Sequence, residues 1–317
     1  MNQPSNKTVC VLGSLNMDLV MRLPRVPDAG ETLIGHQFNT YGGGKGANQA
    51  MACAKLGGQA AMMGRVGDDD FGRALHGALQ EAGVDTQELK LLKTVETGVA
   101  MIMVDDAAQN RIVLAQGANL HILPADIDQR ADLIGEARLL ICQLEIPLET
   151  NRRAIALAHT RGVPVLLNPA PAASLPADML AQVSYLVPNE TEASLLTGTT
   201  VSDLASAAVA ARQLRAMGCR HVLITLGAQG VLIADDKGIR HWPALQVKAV
   251  DTTAAGDTFI GGLATGLAEG LTLDEATQLG MCAAAVSVTR PGAQPALPYR
   301  QELAPYPHQA TWLEQTP

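Results

Sequence analysis

The chain has 317 residues, of which 47% are hydrophobic, 17% charged and 3% aromatic. This length and composition predict one large α/β domain over residues 1–317 with a sizeable buried core, and they exclude a globally disordered protein. The formal net charge of −8 argues against a general nucleic-acid binder and against a protein of anionic membrane surfaces.

Cysteines, histidines and apolar segments narrow the class further. The histidines show no HxxxH or HExxH spacing, which argues against a zinc site. The chain opens without a signal-peptide pattern and has no apolar stretch that could span a bilayer, so we expect no membrane partner. The cysteines are scattered without a CxxC pair, which predicts reduced core residues in a cytoplasmic protein. They are Cys10, Cys53, Cys142, Cys219 and Cys282.

Short apolar segments alternate with helical patterns along most of the chain. Predicted strands cover residues 8–14, 59–66, 138–145, 163–170, 185–189 and 221–227. Predicted helices lie near residues 44–57, 71–83, 148–161, 190–197, 203–217, 255–269 and 272–289. Continuous apolar strands separated by helices indicate an α/β fold with a central, mostly parallel sheet flanked by helices.

Two regions, 18–41 and 95–116, depart from this alternation. Their polar and apolar residues alternate, and DDAAQN marks a turn between two strands, which predicts a small antiparallel sheet. Such a sheet is either a lid over a site or an ordinary extension of the main sheet. The tail after Gly292 is rich in Pro and Gln, which predicts loop or loose surface.

Polar motifs follow the predicted strands, at the ends where α/β sheets bind ligands. GSLNMD (13–18) places Asn16 and Asp18 on one side of an extended segment, which suits a polyol or a simple turn. GGGKGANQA (42–50) surrounds Lys45 with glycines, and it matches neither a Walker A loop nor GxGxxG. It indicates a binding loop more readily than a flexible turn.

Three further motifs lie at predicted strand ends or helix starts. PNETEA (188–193) sets Asn189 and Glu192 in a spacing typical of a capping box, and the same helix start would also suit a metal–water or phosphate site. TLGAQG (225–230) predicts either a nucleotide loop or a tight hairpin. VDTTAAGDTF (250–259) builds a helix start of small residues, which attracts anions, and places Asp257 at its mouth.

Taken in order, GGKGANQA, LNPAP, PNETEA, ITLG, VDTTAAGDTF and TRPGAQP resemble the ribokinase-like (PfkB) carbohydrate kinase family over nearly the whole chain. The resemblance implies a ribokinase-like fold: a central, mostly parallel sheet flanked by helices, with a small antiparallel β-sheet lid that often pairs into a homodimer. It also implies ATP-dependent phosphorylation of a sugar hydroxymethyl group, with the 5-hydroxyl of D-ribose as the first substrate to expect.

The same resemblance implies roles for individual residues. Those implied to contact the sugar are Asn16, Asp18, Gly44, Lys45, Asn48, Glu145 and Asp257. Those implied to hold ATP are Asn189, Thr225, Leu226, Gly227, Gly230 and Gly256. Ala254, Ala255 and Gly256 would form the anion hole, Asp257 would be the general base, and Glu192 would act on Mg²⁺ through water.

A monovalent cation, K⁺, is also implied beside the anion hole. The matching positions are Asp251, Thr253, Ser287, Arg290, Gly292 and Ala296. Ala296 lacks the hydroxyl that relatives often carry there, and no histidine stands near Met281. Ala254 replaces a glycine that is common in relatives.

Other functions stay open beside D-ribose phosphorylation. A related kinase of another pentose, a deoxysugar or a nucleoside would share these motifs, although 3% aromatic residues argue against stacking a base. A non-catalytic sugar-binding protein would have to lack a chemical residue, and Lys45, Glu192 and Asp257 are all present. The partners we expect are a small-molecule sugar, ATP and a second copy through the lid, with no nucleic acid and no membrane.

Overall fold

A computed structural model describes residues 8–107 and 109–315 of the chain. In chain order, its strands within those residues are β1 (Thr8–Leu12), β2 (Asn16–Arg22), β3 (Gln37–Gly43), β4 (Gln59–Gly67), β5 (Leu89–Leu92), β6 (Gly98–Val104), β7 (Asn110–Ala115), β8 (Leu139–Cys142), β9 (Val165–Leu167), β10 (Tyr185–Leu186), β11 (His221–Thr225), β12 (Val231–Asp235), β13 (Gly238–Trp242) and β14 (Thr311–Gln315). The helices of the same part of the chain are α1 (Lys45–Lys55), α2 (Asp70–Glu81), α3 (Pro124–Gln129), α4 (Ala131–Glu136), α5 (Leu148–Thr160), α6 (Ala177–Leu180), α7 (Glu190–Thr197), α8 (Leu204–Ala216), α9 (Ala255–Glu269) and α10 (Leu273–Ser287).

The large sheet has the strand order β14-β13-β12-β11-β10-β9-β8-β1-β4-β5. From β11 to β5 the neighbouring strands run parallel, whereas β12, β13 and β14 extend the sheet as an antiparallel edge. The predicted central, mostly parallel sheet is therefore confirmed. Its parallel strands end along one edge, where ligands bind in open α/β sheets.

Apolar residues of the large sheet fill a core on each of its faces. Val9 and Val11 of β1 enter one core and Cys10 and Leu12 enter the other, because successive side chains of a strand point to opposite faces. Helices α1, α2, α9 and α10 cover the first core and α3 to α8 cover the second. The five cysteines are buried and free, as predicted for core residues. None of the helices within residues 8–107 and 109–315 is long and apolar enough to cross a membrane.

The small sheet, defined as β2, β3, β6 and β7, has the order β3-β2-β6-β7. Its outer pairs are antiparallel, as predicted, and its central pair, β2 with β6, is parallel. Along the chain, β2 follows β1 and β6 follows β5, and both β1 and β5 are parallel to β4 in the large sheet. Asn16 and Asp18 lie two apart on β2 and therefore on the same face of the small sheet.

The prediction that the whole tail after Gly292 is loop or loose surface is wrong. Ala293, Ala296 and Leu297 are buried, and Lys55 Nζ donates to the carbonyls of Gln294 and Leu297 at 3.2 and 3.3 Å. Further on, β14 pairs with β13 at the edge of the large sheet. The Pro-rich composition concealed both features, because neither the contacts with α1 nor the edge pairing leaves a local periodic signal.

Candidate active site

The carboxylate of Glu145, just beyond β8, joins the start of the small sheet to the start of α1. Its Oε2 accepts from Ser14 Oγ at 2.5 Å, and Asn16 Nδ2 lies 3.4 Å from the same oxygen. The backbone N–H of Lys45 donates to it at 3.1 Å. One half-buried carboxylate therefore connects three segments that are distant in sequence.

Asn119 holds Asn16 in place from the opposite side. Its Oδ1 accepts from Leu15 N at 2.9 Å, and its Nδ2 donates to Leu15 O at 3.0 Å. The same Nδ2 donates to Asn16 Oδ1 at 2.8 Å. Because the Asn16 oxygen is thus occupied, its NH₂ group is left to point toward Glu145 and any ligand there.

The glycines before Lys45 allow the backbone to pass close to the small sheet. Gly44 has φ of 87°, and a Cβ there would lie 2.7 Å from Asn16 N, so only glycine fits. Burial lowers the pKa of the Lys45 ammonium, but the negative charges of the surrounding carboxylates outweigh burial and raise it overall. Those carboxylates belong to Asp257, Glu145, Glu192 and Asp18.

Asp18 lies among charges of its own sign. Burial and the charges of Glu145 and Asp257 raise its pKa to about 7, although Lys45 opposes the shift. Its position on β2 places it close to two other predicted sugar ligands. Several carboxylates around one lysine offer the hydrogen-bond acceptors that the hydroxyl groups of a polyol require.

The start of α9 is built without a side-chain cap. Its N-cap residue, Ala254, has φ of 58° and ψ of 14°, a left-handed conformation that few residues other than glycine adopt. Ala255 N donates to Thr252 O at 3.2 Å, and Thr258 N donates to Ala254 O at 2.8 Å. The N–H groups of Gly256 and Asp257 are therefore the first-turn donors that stay free for an anion.

Asp257 is 7% exposed and held by two side-chain amides of α1. Asn48 Nδ2 donates to its Oδ2 at 3.0 Å, and Gln49 Nε2 donates to its Oδ1 at 2.9 Å. Asn48 Oδ1 is buried with no protein partner, so it remains an acceptor for a ligand hydroxyl. The carboxylate is thus fixed in orientation beside an open helix start.

The start of α7 shows the capping box that the sequence predicts. Asn189 Oδ1 accepts from Glu192 N at 2.8 Å, and Glu192 Oε2 accepts from Asn189 N at 2.9 Å. Asn189 Nδ2 donates to Glu192 Oε1 at 3.0 Å as well. Burial raises the pKa of Glu192, although the Asn189 hydrogen bond and Lys45 favour its charged form. The capping interpretation is confirmed, and Glu192 nevertheless lines a cavity with Lys45 and Asp257.

Two cavities meet at the start of α9. The one with Lys45 and Asp257 measures about 240 Å³. The other measures about 310 Å³, opens between the 225–230 loop and α10, and has a mostly apolar lining that includes Phe259 and Met281. The residues that line both cavities are Thr225, Thr252, Ala255 and Gly256. A ligand that fills the apolar cavity would therefore point its far end at Asp257.

The 225–230 segment forms the hairpin that TLGAQG allows, and it also borders the apolar cavity. Strands β11 and β12 pair as an antiparallel hairpin, and Thr225, Gly227 and Gly230 of their connection line the apolar cavity. Leu226 lies within the same connection, and its N–H donates to Gly230 O at 2.8 Å. Its side chain is buried in the core below.

Part of the predicted cation set is assembled around Asp251. Its Oδ1 accepts from Thr253 N at 2.9 Å and from Thr253 Oγ1 at 2.6 Å. Its Oδ2 accepts from Gly292 N at 2.9 Å. These hydrogen bonds lower the pKa of Asp251 against the opposing effect of burial. Ser287 and Arg290 belong to a neighbouring backbone turn, in which Arg290 N donates to Ser287 O at 3.1 Å. Ala296 is buried in the following turn.

Several buried polar residues of the site were not predicted from sequence. Ser14, Gln49 and Asn168 lie inside quoted motifs, so the motif was the signal and only their roles were missed. Asn119 and Gln143 lie outside every motif. No local pattern marks them, because their partners are about 100 residues away in the chain.

The chain is similar to known proteins over nearly its full length. The family described as pfkB family carbohydrate kinase matches residues 6–300. A ribokinase of Haemophilus influenzae is 43% identical over 296 residues, which cover 93% of this chain and 97% of that protein. A deoxyribokinase of Salmonella typhi is 37% identical over 299 residues, covering 94% and 98%.

Among solved structures, that of Arabidopsis thaliana ribokinase complexed with ribose and ATP is similar with a TM-score of 0.89 at 31% identity. The similarity covers 93% of this chain and 97% of that one. Because the family match and the relatives extend over nearly the whole chain, the chain belongs to the pfkB family of carbohydrate kinases.

Proposed function

We propose that this carbohydrate kinase transfers the γ-phosphoryl group of ATP to the 5-hydroxyl of D-ribose. One observation carries the proposal: a carboxylate fixed by two amides, Asp257, stands beside the uncapped start of α9, and both face a cavity that also contains Lys45. The substrate is inferred from the ribokinases to which the chain is similar over nearly its full length.

The sugar fits between the small sheet and α1. Asn16, Asp18 and Glu145 offer donors and acceptors from one side, and Lys45 and Asn48 offer them from the other. The unpartnered Asn48 Oδ1 supports this placement, because a buried acceptor without a partner is destabilising until a hydroxyl fills it. Gly44 contributes its backbone, which passes close to Asn16 at the start of the small sheet.

The nucleotide fits in the apolar cavity of about 310 Å³ between the 225–230 loop and α10. With its base among the apolar side chains there, its phosphates run past Thr225 to the start of α9. The free N–H groups of Gly256 and Asp257 then receive the γ-phosphate, where the helix dipole favours negative charge. Asn189 lines the neighbouring cavity and reaches the phosphates from α7.

In the reaction Asp257 accepts the proton of the 5-hydroxyl as its oxygen attacks the γ-phosphorus. The new oxygen–phosphorus bond forms in line with the bond to the β–γ bridging oxygen, which breaks and leaves ADP. The amides at the start of α9 stabilise the charge on the transferred group. The carboxylate of Asp257 therefore accepts a proton from the sugar and does not bind the phosphate, so its negative charge is compatible with an anion site beside it.

Mg²⁺ fits at Glu192 through water. Kinase Mg²⁺ ions are held chiefly by phosphates and water with one or two carboxylates, and Glu192 is the carboxylate of α7 that lines the cavity. Both of its oxygens already accept from Asn189, which leaves lone pairs suited to metal-bound water rather than to a full inner shell. Bound there, the ion would neutralise phosphate charge.

The proposed K⁺ site lies beside Asp251, whose carboxylate accepts hydrogen bonds from Thr253 and from the N–H of Gly292 near the start of α9. Carbonyl oxygens of the 287–292 turn would have to complete its shell. Ala296 offers only its backbone. We expect activity to be higher with potassium than with sodium. Equal rates with potassium, with sodium and with neither ion would remove this part of the proposal.

The small sheet would act as a lid and as the interface of a homodimer. Strand β7 is exposed along its whole length, and large apolar side chains on the sheet are open to solvent. Exposed patches of this kind mark interaction surfaces. One face of the small sheet carries Phe38 (54% exposed), Met101 (52%) and Val113 (64%), and the opposite face carries Ile112 (57%).

Light scattering across a concentration series tests the dimer. Val113→Lys should lower the mass to that of a monomer, whereas Val209→Lys, at an exposed position of α8, should not. A wild-type monomer at high micromolar concentration would contradict the interface.

The five buried free cysteines also support a reducing compartment such as the cytoplasm.

A coupled ADP-release assay over pentoses, hexoses and nucleosides tests the proposed reaction. D-ribose should give the highest kcat/KM, and 2-deoxyribose is the competitor to include because a deoxyribokinase is among the relatives. A clear preference for 2-deoxyribose would change the substrate and keep the mechanism. No turnover with any sugar would favour a non-catalytic sugar-binding protein.

A further inference from the structure

A continuous series of buried amides leads from the end of β8 to the carboxylate of Asp257. Gln143 Nε2 donates to Gln49 Oε1 at 2.6 Å, and Gln49 Nε2 donates to Asp257 Oδ1 at 2.9 Å. The same Gln49 NH₂ group lies 3.2 Å from Asn168 Oδ1. Gln49 and Gln143 are both fully buried.

The direction of these hydrogen bonds fixes the orientation of the Gln49 amide. Because Gln143 supplies a donor, Gln49 turns its oxygen toward β8 and its NH₂ group toward Asp257. The reverse orientation would place an amide oxygen against a carboxylate. Gln143 is itself confined, since a Cβ at Gly13 would lie 2.0 Å from its Oε1. Glycine at position 13 thus makes room for the first amide of the series.

All the polar atoms of Gln49 are occupied by protein groups, unlike those of Asn48. Asn48 donates to the other carboxylate oxygen and keeps a free acceptor for the sugar, so it has two roles. Gln49 has no polar atom left to bind a ligand. Its NH₂ group meets the cavity through Asp257, the proposed base, and through Asn168, which lines the same cavity.

We propose that Gln49 is a positioning residue that holds Asp257 in the orientation and charge state required of the general base, with Gln143 setting the orientation of Gln49. This inference rests on the proposed function. The charged groups whose fields reach Asp257 are Lys45 on α1, Asp18 on β2 and Glu192 on α7. None of them is altered by a change at Gln49.

Gln49→Met keeps the length of the side chain and removes its donors. We expect kcat to fall by about 10-fold to 100-fold, the effect of a lost hydrogen bond to a charged group, with KM for the sugar within about 3-fold of wild type. The acid limb of the pH–kcat profile should move to higher pH, because the carboxylate loses a stabilising donor. A packing defect alone would not move that limb.

Gln143→Met is the second variant, and it matters if Gln49→Met does not fold. It should lower kcat in the same direction by a smaller factor, because Gln49 keeps its donor but is free to turn. Thr150→Val is the matched control, since Thr150 is fully buried and loses one hydrogen bond, to Ile122 O at 2.8 Å, away from the site. It should leave kcat and the pH profile unchanged.

Asp257→Asn separates this inference from the proposed function. If Asp257→Asn stays active, the general base is misassigned and the proposed function fails first. If Asp257→Asn is inactive while a folded Gln49→Met or Gln143→Met variant shows wild-type kcat and an unmoved acid limb, only the positioning role is overturned. A loss confined to KM would overturn it as well, because it would place Gln49 in sugar binding.

Discussion

Helices α7 and α9 begin against the same cavity, and each carries an acid in its first turn, yet their starts are completed in opposite ways. At α7, Glu192, one of two first-turn acids, accepts from the backbone N–H of the N-cap residue Asn189 and completes its own helix start. At α9 the N-cap residue, Ala254, has no capping side chain, and the acid, Asp257, is turned toward α1.

The difference shows which helix start is free to bind a ligand. A helix whose first amides are capped by its own side chains has little left for an anion, whereas an uncapped start in a cavity is an anion site. A carboxylate therefore completes the helix start at α7, whereas at α9 the carboxylate leaves the helix start open.

The largest effect is expected at the acid of the uncapped helix. Asp257→Asn keeps the shape and removes the proton acceptor, so kcat should fall by about 10²–10⁴-fold with little change in substrate affinity. If Asp257 were merely a helix cap, asparagine would serve as well and the rate would stay near normal. Steady-state kinetics at saturating substrates decides between them. Retention of more than about a tenth of wild-type turnover would contradict the base assignment.

The next effect concerns the acid of the small sheet, Asp18. Its pKa of about 7 in the folded protein lies above that of an unfolded chain. The stability linked to its proton is therefore present below about pH 4 and is lost as the pH rises through about 7. Asp18→Asn should raise the free energy of unfolding at pH 8 by roughly 1–2 kcal/mol, after allowance for solvent screening.

The same variant should raise KM for the sugar by about 10-fold to 100-fold, through lost hydrogen bonds to a charged group. Urea unfolding at pH 5 and pH 8, combined with sugar titration, measures both effects. If Asp18→Asn is more stable at pH 8 but binds the sugar more weakly, Asp18 is a ligand group that lowers the stability of the fold. A variant that is less stable at pH 8 and unchanged in KM would contradict this role.

A smaller effect is expected at the capped helix. Glu192→Gln keeps a capping-box acceptor, so stability should change by less than about 1 kcal/mol. It removes the charge toward metal-bound water, so about 10-fold more Mg²⁺ should be needed for half-maximal activity. Magnesium titration of the rate checks this. Asn189→Ala is the comparison, since it should lower stability by about 1 kcal/mol through loss of the cap.

If Glu192→Gln lost stability and kept its magnesium response, the acid of α7 would be structural only. Glu192 would then serve only the fold, whereas Asp257 would serve only the reaction. An unchanged response in a variant of normal stability would leave Glu192 with no role toward the ion.

The smallest effect is expected at Ala254, whose left-handed conformation destabilises any residue with a Cβ by about 1–2 kcal/mol. Glycine removes this strain but loses more backbone entropy on folding. Ala254→Gly should therefore change stability by less than about 1 kcal/mol and leave kcat within about 3-fold. Ala254→Val, which is β-branched, should be clearly less stable. Thermal unfolding and kcat of the two variants test whether the backbone shape alone matters here.

The main sheet and the core helices were predictable because their residues carry strong local signals. The apolar segments of β1, β4, β8 and β11 and the patterns of the longer helices are read within short windows. The short helices α3, α4 and α6 were not predicted, because four to six residues carry too little periodic signal. Strands β5, β13 and β14 were not predicted, since they are short or edge strands of mixed polarity. The parallel pairing of β2 with β6 also escaped prediction, because periodicity indicates a strand but not its partner.

The site was predictable wherever a motif carried it. Glycines around Lys45 and small residues before Asp257 predict a ligand-binding backbone from the sequence itself. Asn119 and Gln143 could not be found this way, because a buried amide is identified as functional only by partners that folding brings to it. The sequence also left two interpretations of Asn189 and Glu192 open, and the structure shows that capping and a place in the cavity coexist.

A crystal structure with D-ribose and a non-hydrolysable ATP analogue would test the contrast between the two helix starts most directly. We expect the terminal phosphate within about 3 Å of the amide nitrogens of Gly256 and Asp257, and the sugar 5-hydroxyl within about 3 Å of the Asp257 carboxylate. A terminal phosphate bound at the start of α7, or a hydroxyl more than about 5 Å from Asp257, would contradict the account.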